Sequence, residues 1–246
     1  MDAFAAALYN QEMSTNKQRP LACFDIDGTL FRSSLLIALC EQLIQDEVFS
    51  AAVRDEWHEA YTAWLDRTGT YEEYIAVVID VFRTHIKGVH YGALADAGRR
   101  VVSVQQHRVY RYTRDLIRDL QAQGYFLAAI SQSPKTVLDL FCEGYGFDKV
   151  YGRMYDIGPQ DCFTGAVMQE SLIADKAAIV ERIIDRHGDI VTLDGSVAVG
   201  DTEGDISLLQ SVERPICFNP NQLLFNEAKR QRWEVVVERK DVIYRI

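Results

Sequence analysis

Apolar residues recur at helical spacing through residues 34–106. Leu36, Leu39, Leu43 and Ile44 form one stripe, and Val53, Trp57, Tyr61, Trp64 and Leu65 form a second. A third runs Tyr74, Val77, Val78, Val81, Phe82, and a fourth Leu94, Val101, Val102, Val104. Gly69, Gly88, Gly92 and Gly98 fall at or near the joints, where helices can end. The prolines are Pro20, Pro134, Pro159, Pro215 and Pro220, so none interrupts the chain from Leu21 to Ser133. Four amphipathic helices with no strand between them predict a small all-helical bundle.

Outside that stretch the pattern alternates. Leu21–Phe24 reads as a short buried strand, and Asp115–Gln123 as a helix stopped by Gly124. Phe126–Ile130 is a second strand; Ser133 as N-cap and Pro134 at the first helical position then open a helix through Phe141. Lys176–Arg186 is helical with Ile179, Val180, Ile183 and Ile184 inward. Val197–Val199 is a strand, a helix follows near Asp205–Leu209, and Ile216–Phe218 and Glu234–Val237 are further strands. Alternating strand and helix predict an α/β protein with a Rossmann-like parallel sheet covered on both faces. The bundle at 34–106 is then an insertion, residues 21–33 and 107–246 form the α/β core, and 1–20 are an N-terminal extension with a helical segment, Ala3–Tyr9.

Composition changes this picture little. A chain of 246 residues with 48% hydrophobic and 25% charged residues is an ordinary globular protein, long enough for a sizeable core. The formal net charge of -10 argues against nucleic acid as partner, although a local pocket can still be positive. Ala3–Tyr9 is too short for a membrane span and lacks the basic flank of a signal peptide. The five cysteines, Cys23, Cys40, Cys142, Cys162 and Cys217, are widely spaced with no C-x-x-C pair. They suggest core thiols in a reducing, cytoplasmic compartment rather than disulfides or zinc ligands. Oligomeric state is left open.

The chemistry lies at the strand ends. Asp25 and Asp27 follow the first strand, Ser131 the second, and Asp201 the strand Val197–Val199. The carboxyl ends of parallel strands form the ligand crevice of an open sheet. Acids gathered there repel unless a cation is present, and oxygen ligands suit a hard ion such as Mg²⁺. Lys176, opening a helix, would neutralise a substrate phosphate or a developing negative charge. Acids, a hydroxyl, a lysine and Mg²⁺ together match phosphoryl transfer.

These residues resemble the haloacid dehalogenase superfamily of phosphohydrolases, in its phosphoserine-phosphatase-like branch. Asp25-Ile26-Asp27-Gly28-Thr29 is similar to its first motif, Ala128-Ala129-Ile130-Ser131 to its second, Lys176 to its third, and Gly200-Asp201-Thr202-Glu203-Gly204-Asp205 to its fourth. Phe163–Val167 is also similar to that branch, and the helical insertion looks like its cap domain. The resemblance implies that Asp25 attacks phosphorus and that Asp27 serves as acid and then base. It implies that the side chains of Asp25 and Asp201 and the carbonyl of Asp27 hold Mg²⁺, with Asp205 supporting the metal. Ser131, Lys176 and the backbone N–H of Gln132 would hold the phosphoryl oxygens, with Thr29 beside them buttressing the loop. The implied activity is hydrolysis of a small phosphorylated substrate; a phosphotransferase and a silent binding protein of the same fold are the alternatives.

The pattern also departs from phosphoserine phosphatases. Their Glu nine residues after the nucleophile is here Ser34, and the place of their cap Arg falls near Asp80 and Val81, with Arg83 close by. Both count against phosphoserine. Arg32 sits at the mouth between core and cap. A hinge is expected near Arg32–Leu35 and His107–Arg111. Trp57, Tyr61 and Trp64 read as bundle core, Glu203 as solvated, and His58 and His107 as having no metal-ligand partner.

Overall fold

The computed structural model describes residues 18–246; the helical segment expected at Ala3–Tyr9 lies outside them. The first strand, β1 (Arg19–Asp25), carries a run of fully buried apolar residues from Leu21 to Phe24 and sits centrally in an eight-stranded sheet. Beside it lie β2 (Phe126–Pro134) on one edge and β5 (Val191–Gly200) on the other, both parallel to it. Next to β2 come β3 (Lys149–Ile157) and then β4 (Phe163–Met168); beyond β5 come β6 (Arg214–Phe218), β7 (Glu234–Arg239) and β8 (Val242–Arg245). Only β4 and β8, at the two edges, run antiparallel to their neighbours. The parallel core follows the expectation; β3, β4 and β8 add strands that the apolar pattern alone does not show.

The four helices of the insertion are α1 (Leu35–Gln45), α2 (Val53–Leu65), α3 (Tyr71–His85) and α4 (Tyr91–Gln105). The start of α3 is written locally: Thr70 and Glu73 form a reciprocal capping box, each side chain accepting from the other's backbone N–H. Where the chain enters and leaves this segment, the two connections pair with each other. Arg32 N donates to Arg108 O at 2.8 Å and Tyr110 N to Leu30 O at 3.0 Å. The remaining helices are α5 (Arg111–Ala122), α6 (Lys135–Glu143), the short α7 (Glu170–Ala174), α8 (Lys176–His187), the short α9 (Ile206–Gln210) and α10 (Gln222–Gln231).

Alternation along the strands sends residues to two apolar clusters. Ala22, Phe24, Leu127, Ala129 and Val199 join one that continues through Phe141 and Leu39 to Phe82, Tyr74 and Trp57. The inserted helices therefore share a continuous core with one sheet face. Leu21, Cys23, Ala128, Ile130 and Ala198 join the other, with Ile179, Val180 and Ile183 of α8.

Candidate active site

Because β1, β2 and β5 are neighbours and parallel, their carboxyl ends bring Asp25, Ser131 and Asp201 to one edge. A 3₁₀ turn over Glu203–Asp205 and the first turn of α8 add Asp205 and Lys176. Lys176 Nζ donates to Asp25 Oδ1 at 2.6 Å and to Asp205 Oδ1 at 2.5 Å, and all three residues are buried. Asp205 Oδ2 accepts from the backbone N–H groups of Asp201 (3.0 Å) and Thr202 (3.1 Å), which fixes the turn.

The second carboxylate oxygen of Asp25, Oδ2, is buried and has no hydrogen-bond partner. Carboxylate oxygens of Asp25, Asp201 and Asp205 lie within 4.8 Å of one another. Burial, with the charges of Asp205 and Asp27 adding to it and Lys176 opposing, pushes the Asp25 carboxyl up to about 7. Burial and the charges of Asp25 and Asp205 hold Asp201 well above the ordinary range. For Lys176, burial favours the neutral amine, but Asp205 and Asp25 outweigh it and keep the group cationic. An orphaned buried oxygen among crowded acids is a position that wants a cation, and three carboxylates suit a hard one. Gly28 makes room for this arrangement: its φ is +83°, and a Cβ there would collide with Asp201 Oδ2.

Asp27 is held differently. Its Oδ1 accepts from Leu35 N at 2.5 Å, the first residue of α1, while Oδ2 accepts from Ser131 Oγ at 2.5 Å and Ser133 Oγ at 2.8 Å. Burial raises its pKa, and these three donors offset part of the rise. Ser131 gives its single hydroxyl proton to Asp27 and accepts from Ser133 N at 2.9 Å.

Several expectations need correction. Ser133 does not cap α6: the N-cap position is Pro134, with no side-chain cap bond. Its hydroxyl instead donates to Asp27 and accepts from Leu36 N at 3.1 Å, stronger partners than a local cap provides. Thr29, placed among the phosphate-binding residues, is fully buried; its Oγ1 donates to Asp201 Oδ1 at 3.0 Å, so it braces that carboxylate. Glu203 is not simply solvated, since its carboxylate accepts from the Asn221 amide. Arg83 is turned outward and pairs with Glu170 at 3.4 Å, while Arg32 stacks over the Tyr110 ring at 5.4 Å. Ser34 caps α1 by accepting from Ile37 N.

A cavity of about 280 Å³ opens above Asp25, Asp27, Lys176 and Asp201. Its far wall comes from the inserted helices: Leu36, Tyr71, Ile75 and Ile79, with the half-buried carboxylate of Glu72. Burial and the charges of Glu203 and Asp205 raise the Glu72 pKa. Gln132 and Ser133 complete the near wall. A second cavity of about 540 Å³ adjoins it at Tyr71 and Asp201, lined by Tyr61, Trp64, Tyr74 and Arg32. Of Trp57, Tyr61 and Trp64, read as bundle core, only Trp57 is buried, while Tyr61 and Trp64 line this second cavity. Glu72 escapes the apolar pattern, but the T-x-x-E box at Thr70–Glu73 marks the helix start that carries it.

Comparison with known proteins agrees with this geometry. Residues 22–210 match the haloacid dehalogenase-like hydrolase family. The inhibition of morphological differentiation protein of Streptomyces azureus is 23% identical over 223 residues, covering 89% of this chain and 78% of that protein. The histidinol-phosphatase of Neisseria meningitidis is 23% identical over 223 residues, covering 88% of this chain and 97% of that protein. The phospho-aspartyl intermediate analogue of phosphoserine phosphatase superposes with a TM-score of 0.62 at 21% identity, covering 92% of this chain and 96% of that one, which bears on the fold. Since the matched span runs from β1 to the end of α9 and contains the whole carboxylate–lysine cluster, the chain belongs to the haloacid dehalogenase-like hydrolase family.

Proposed function

We propose that the chain is a Mg²⁺-dependent phosphomonoester hydrolase that works through a phosphoaspartate on Asp25. The observation that carries this reading is the buried, unpartnered Oδ2 of Asp25 on the floor of a cavity beside Lys176 and Asp201. The phosphatase names of the relatives support it.

In the first step a carboxylate oxygen of Asp25 forms a bond to phosphorus as the bond to the leaving oxygen breaks, and Asp27 gives that oxygen a proton. In the second, water attacks phosphorus, Asp27 takes its proton, and the bond to Asp25 breaks to release phosphate. Lys176 stays cationic between Asp25 and Asp205, holding the nucleophile's orientation and offering positive charge to the phosphoryl oxygens. The side chains of Asp25 and Asp201 and the carbonyl of Asp27 would hold Mg²⁺, with Asp205 and Thr29 bracing them. The metal supplies charge neutralisation of the carboxylates and polarisation of the phosphoryl group. Ser131 and the Gln132 backbone N–H would take the phosphoryl oxygens once the Ser131 hydroxyl turns from Asp27.

Residues 34–106 act as a cap domain in this scheme, closing over the cavity from the hinge formed by the paired connections. The substrate is a small phosphate ester, matching the modest cavity. No helix among the described residues is long and apolar enough to cross a membrane. The unpaired cysteines, four of them buried, fit a reducing cytoplasm. The test is hydrolysis of p-nitrophenyl phosphate with Mg²⁺: the protein turns it over, chelator stops it, and Asp25→Asn abolishes it. Turnover by that variant would end this reading.

A further inference from the structure

Arg153, on β3, is 7% exposed and has no carboxylate within ion-pair distance among the described residues. Other arginines of the chain behave differently: Arg19, Arg54 and Arg100 pair with Asp148, Glu41 and Asp46. A buried cation without a counter-charge is costly, so its retention asks for a missing anion. Arg153 Nε is buried with no acceptor in hydrogen-bond geometry, and the hydroxyl of Tyr155, two residues on along the strand, lies beside the guanidinium. Tyr155 packs edge-on against Phe82 of α3, which places this group under the inserted helices.

The shortest side-chain bond of Arg153 runs toward the cavity. Its Nη2 donates to Gln132 Oε1 at 2.5 Å, and Gln132 lines the cavity with Asp25, Lys176 and Asp201. A guanidinium has donors only, so it fixes the amide with oxygen inward and leaves the NH₂ group for the cavity. Gln132 is exposed, so that NH₂ group is open to the cavity and to water. Lys176, by contrast, is already matched by Asp25 and Asp205. The uncommitted donor on this wall of the cavity is therefore the Gln132 amide, with the Arg153 guanidinium behind it.

We infer that Arg153 is a positioning residue: it orients Gln132, whose NH₂ group binds an anionic oxygen of the substrate. That oxygen belongs either to the transferring phosphoryl group or to a carboxylate on the leaving group. The inference rests on the phosphatase reading above. A charge-assisted hydrogen bond at such a site changes affinity by about tenfold or more.

The test uses the full chain, wild type against Arg153→Met and Gln132→Glu. Three quantities are read: competitive inhibition by inorganic phosphate, KM and kcat on an amino-acid phosphate ester and on the matching amino-alcohol ester without the carboxylate, and melting temperature. Arg153→Met removes an unpaired buried charge, so its melting temperature holds or rises while affinity falls about tenfold. Gln132→Glu gives Arg153 its missing carboxylate, so it also melts no lower and also loses affinity. Weakening of phosphate and of both esters assigns the phosphoryl oxygen; weakening confined to the carboxylate ester assigns the leaving group. Unchanged KM and phosphate inhibition in both variants overturns the inference, as does a lower melting temperature with kcat and KM intact. Wild-type turnover with an unaffected Arg153→Met removes only this inference. Failure of the wild type to hydrolyse any of these esters removes the phosphatase reading and the inference together.

Discussion

Replacing Ser133 with alanine distinguishes a site residue from a helix cap. Its hydroxyl donates to Asp27 Oδ2 at 2.8 Å and accepts from Leu36 N at 3.1 Å, and the residue is 3% exposed. Alanine removes one of the three donors on Asp27 and leaves an N–H of the first turn of α1 without an acceptor. A hydrogen bond to a charged group is worth about 1.5–3 kcal/mol and an unpaired buried amide costs about 1–3 kcal/mol. Asp27 and Leu36 both border the cavity, where partial solvation offsets some of the loss, so the expected total is about 2–4 kcal/mol rather than the full sum. Loss of a simple cap would cost about 1 kcal/mol.

The two parts separate with pH. Burial raises the Asp27 pKa above its unfolded value, so ionised Asp27 opposes folding above the ordinary carboxylate range and ceases to do so below it. Losing a donor raises that pKa further. The Asp27 part of the loss is then largest above the raised folded pKa and fades as pH falls through it, while the Leu36 part persists. Urea unfolding of both proteins in chelator, at about pH 7 and about pH 4.5, measures this. A loss at pH 7 of no more than about 1 kcal/mol, or one equal at both pH values, would refute the placement of Ser133.

Three further outcomes follow from the same contacts. Gly28→Ala must adopt a φ near +83° and press a methyl group on Asp201, so Mg²⁺ affinity measured by titration calorimetry should fall about tenfold or more with the fold retained by circular dichroism. Thr29→Val removes the donor to Asp201 Oδ1; Mg²⁺ affinity should fall by about tenfold, while KM for p-nitrophenyl phosphate at saturating Mg²⁺ stays within about twofold. Asp205→Asn exchanges one of the two carboxylates on Lys176 for an amide, and a disrupted buried pair of this kind should lower unfolding free energy in chelator by about 3 kcal/mol, read by urea denaturation.

How much of this was legible in the sequence depends on the kind of residue. The central strands were, because β1 and β2 are buried on both faces and read as unbroken apolar runs. The edge was not. β3 alternates irregularly around Gly152 and carries a buried arginine, and β8 is largely exposed, so neither shows a clean period of two. The clustering of Asp25, Lys176, Asp201 and Asp205 follows from strand ends meeting at one sheet edge, which order along the chain predicts. The partners of Ser133 and Thr29 did not follow, since local rules favour a cap while the folded chain offers a carboxylate 106 residues away for one and 172 for the other. Arg153 had no signal at all: its meaning lies in the absence of an acidic partner among the described residues, which only the packed structure displays.

The central claim is that Asp25 becomes covalently phosphorylated. Rapid acid quench of the protein with a ³²P-labelled ester and Mg²⁺, followed by peptide mapping, tests it most directly. The expected result is a hydroxylamine-labile label on the peptide containing Asp25, formed at least as fast as turnover and absent in Asp25→Asn. Turnover with no label on that peptide at any quench time would contradict it.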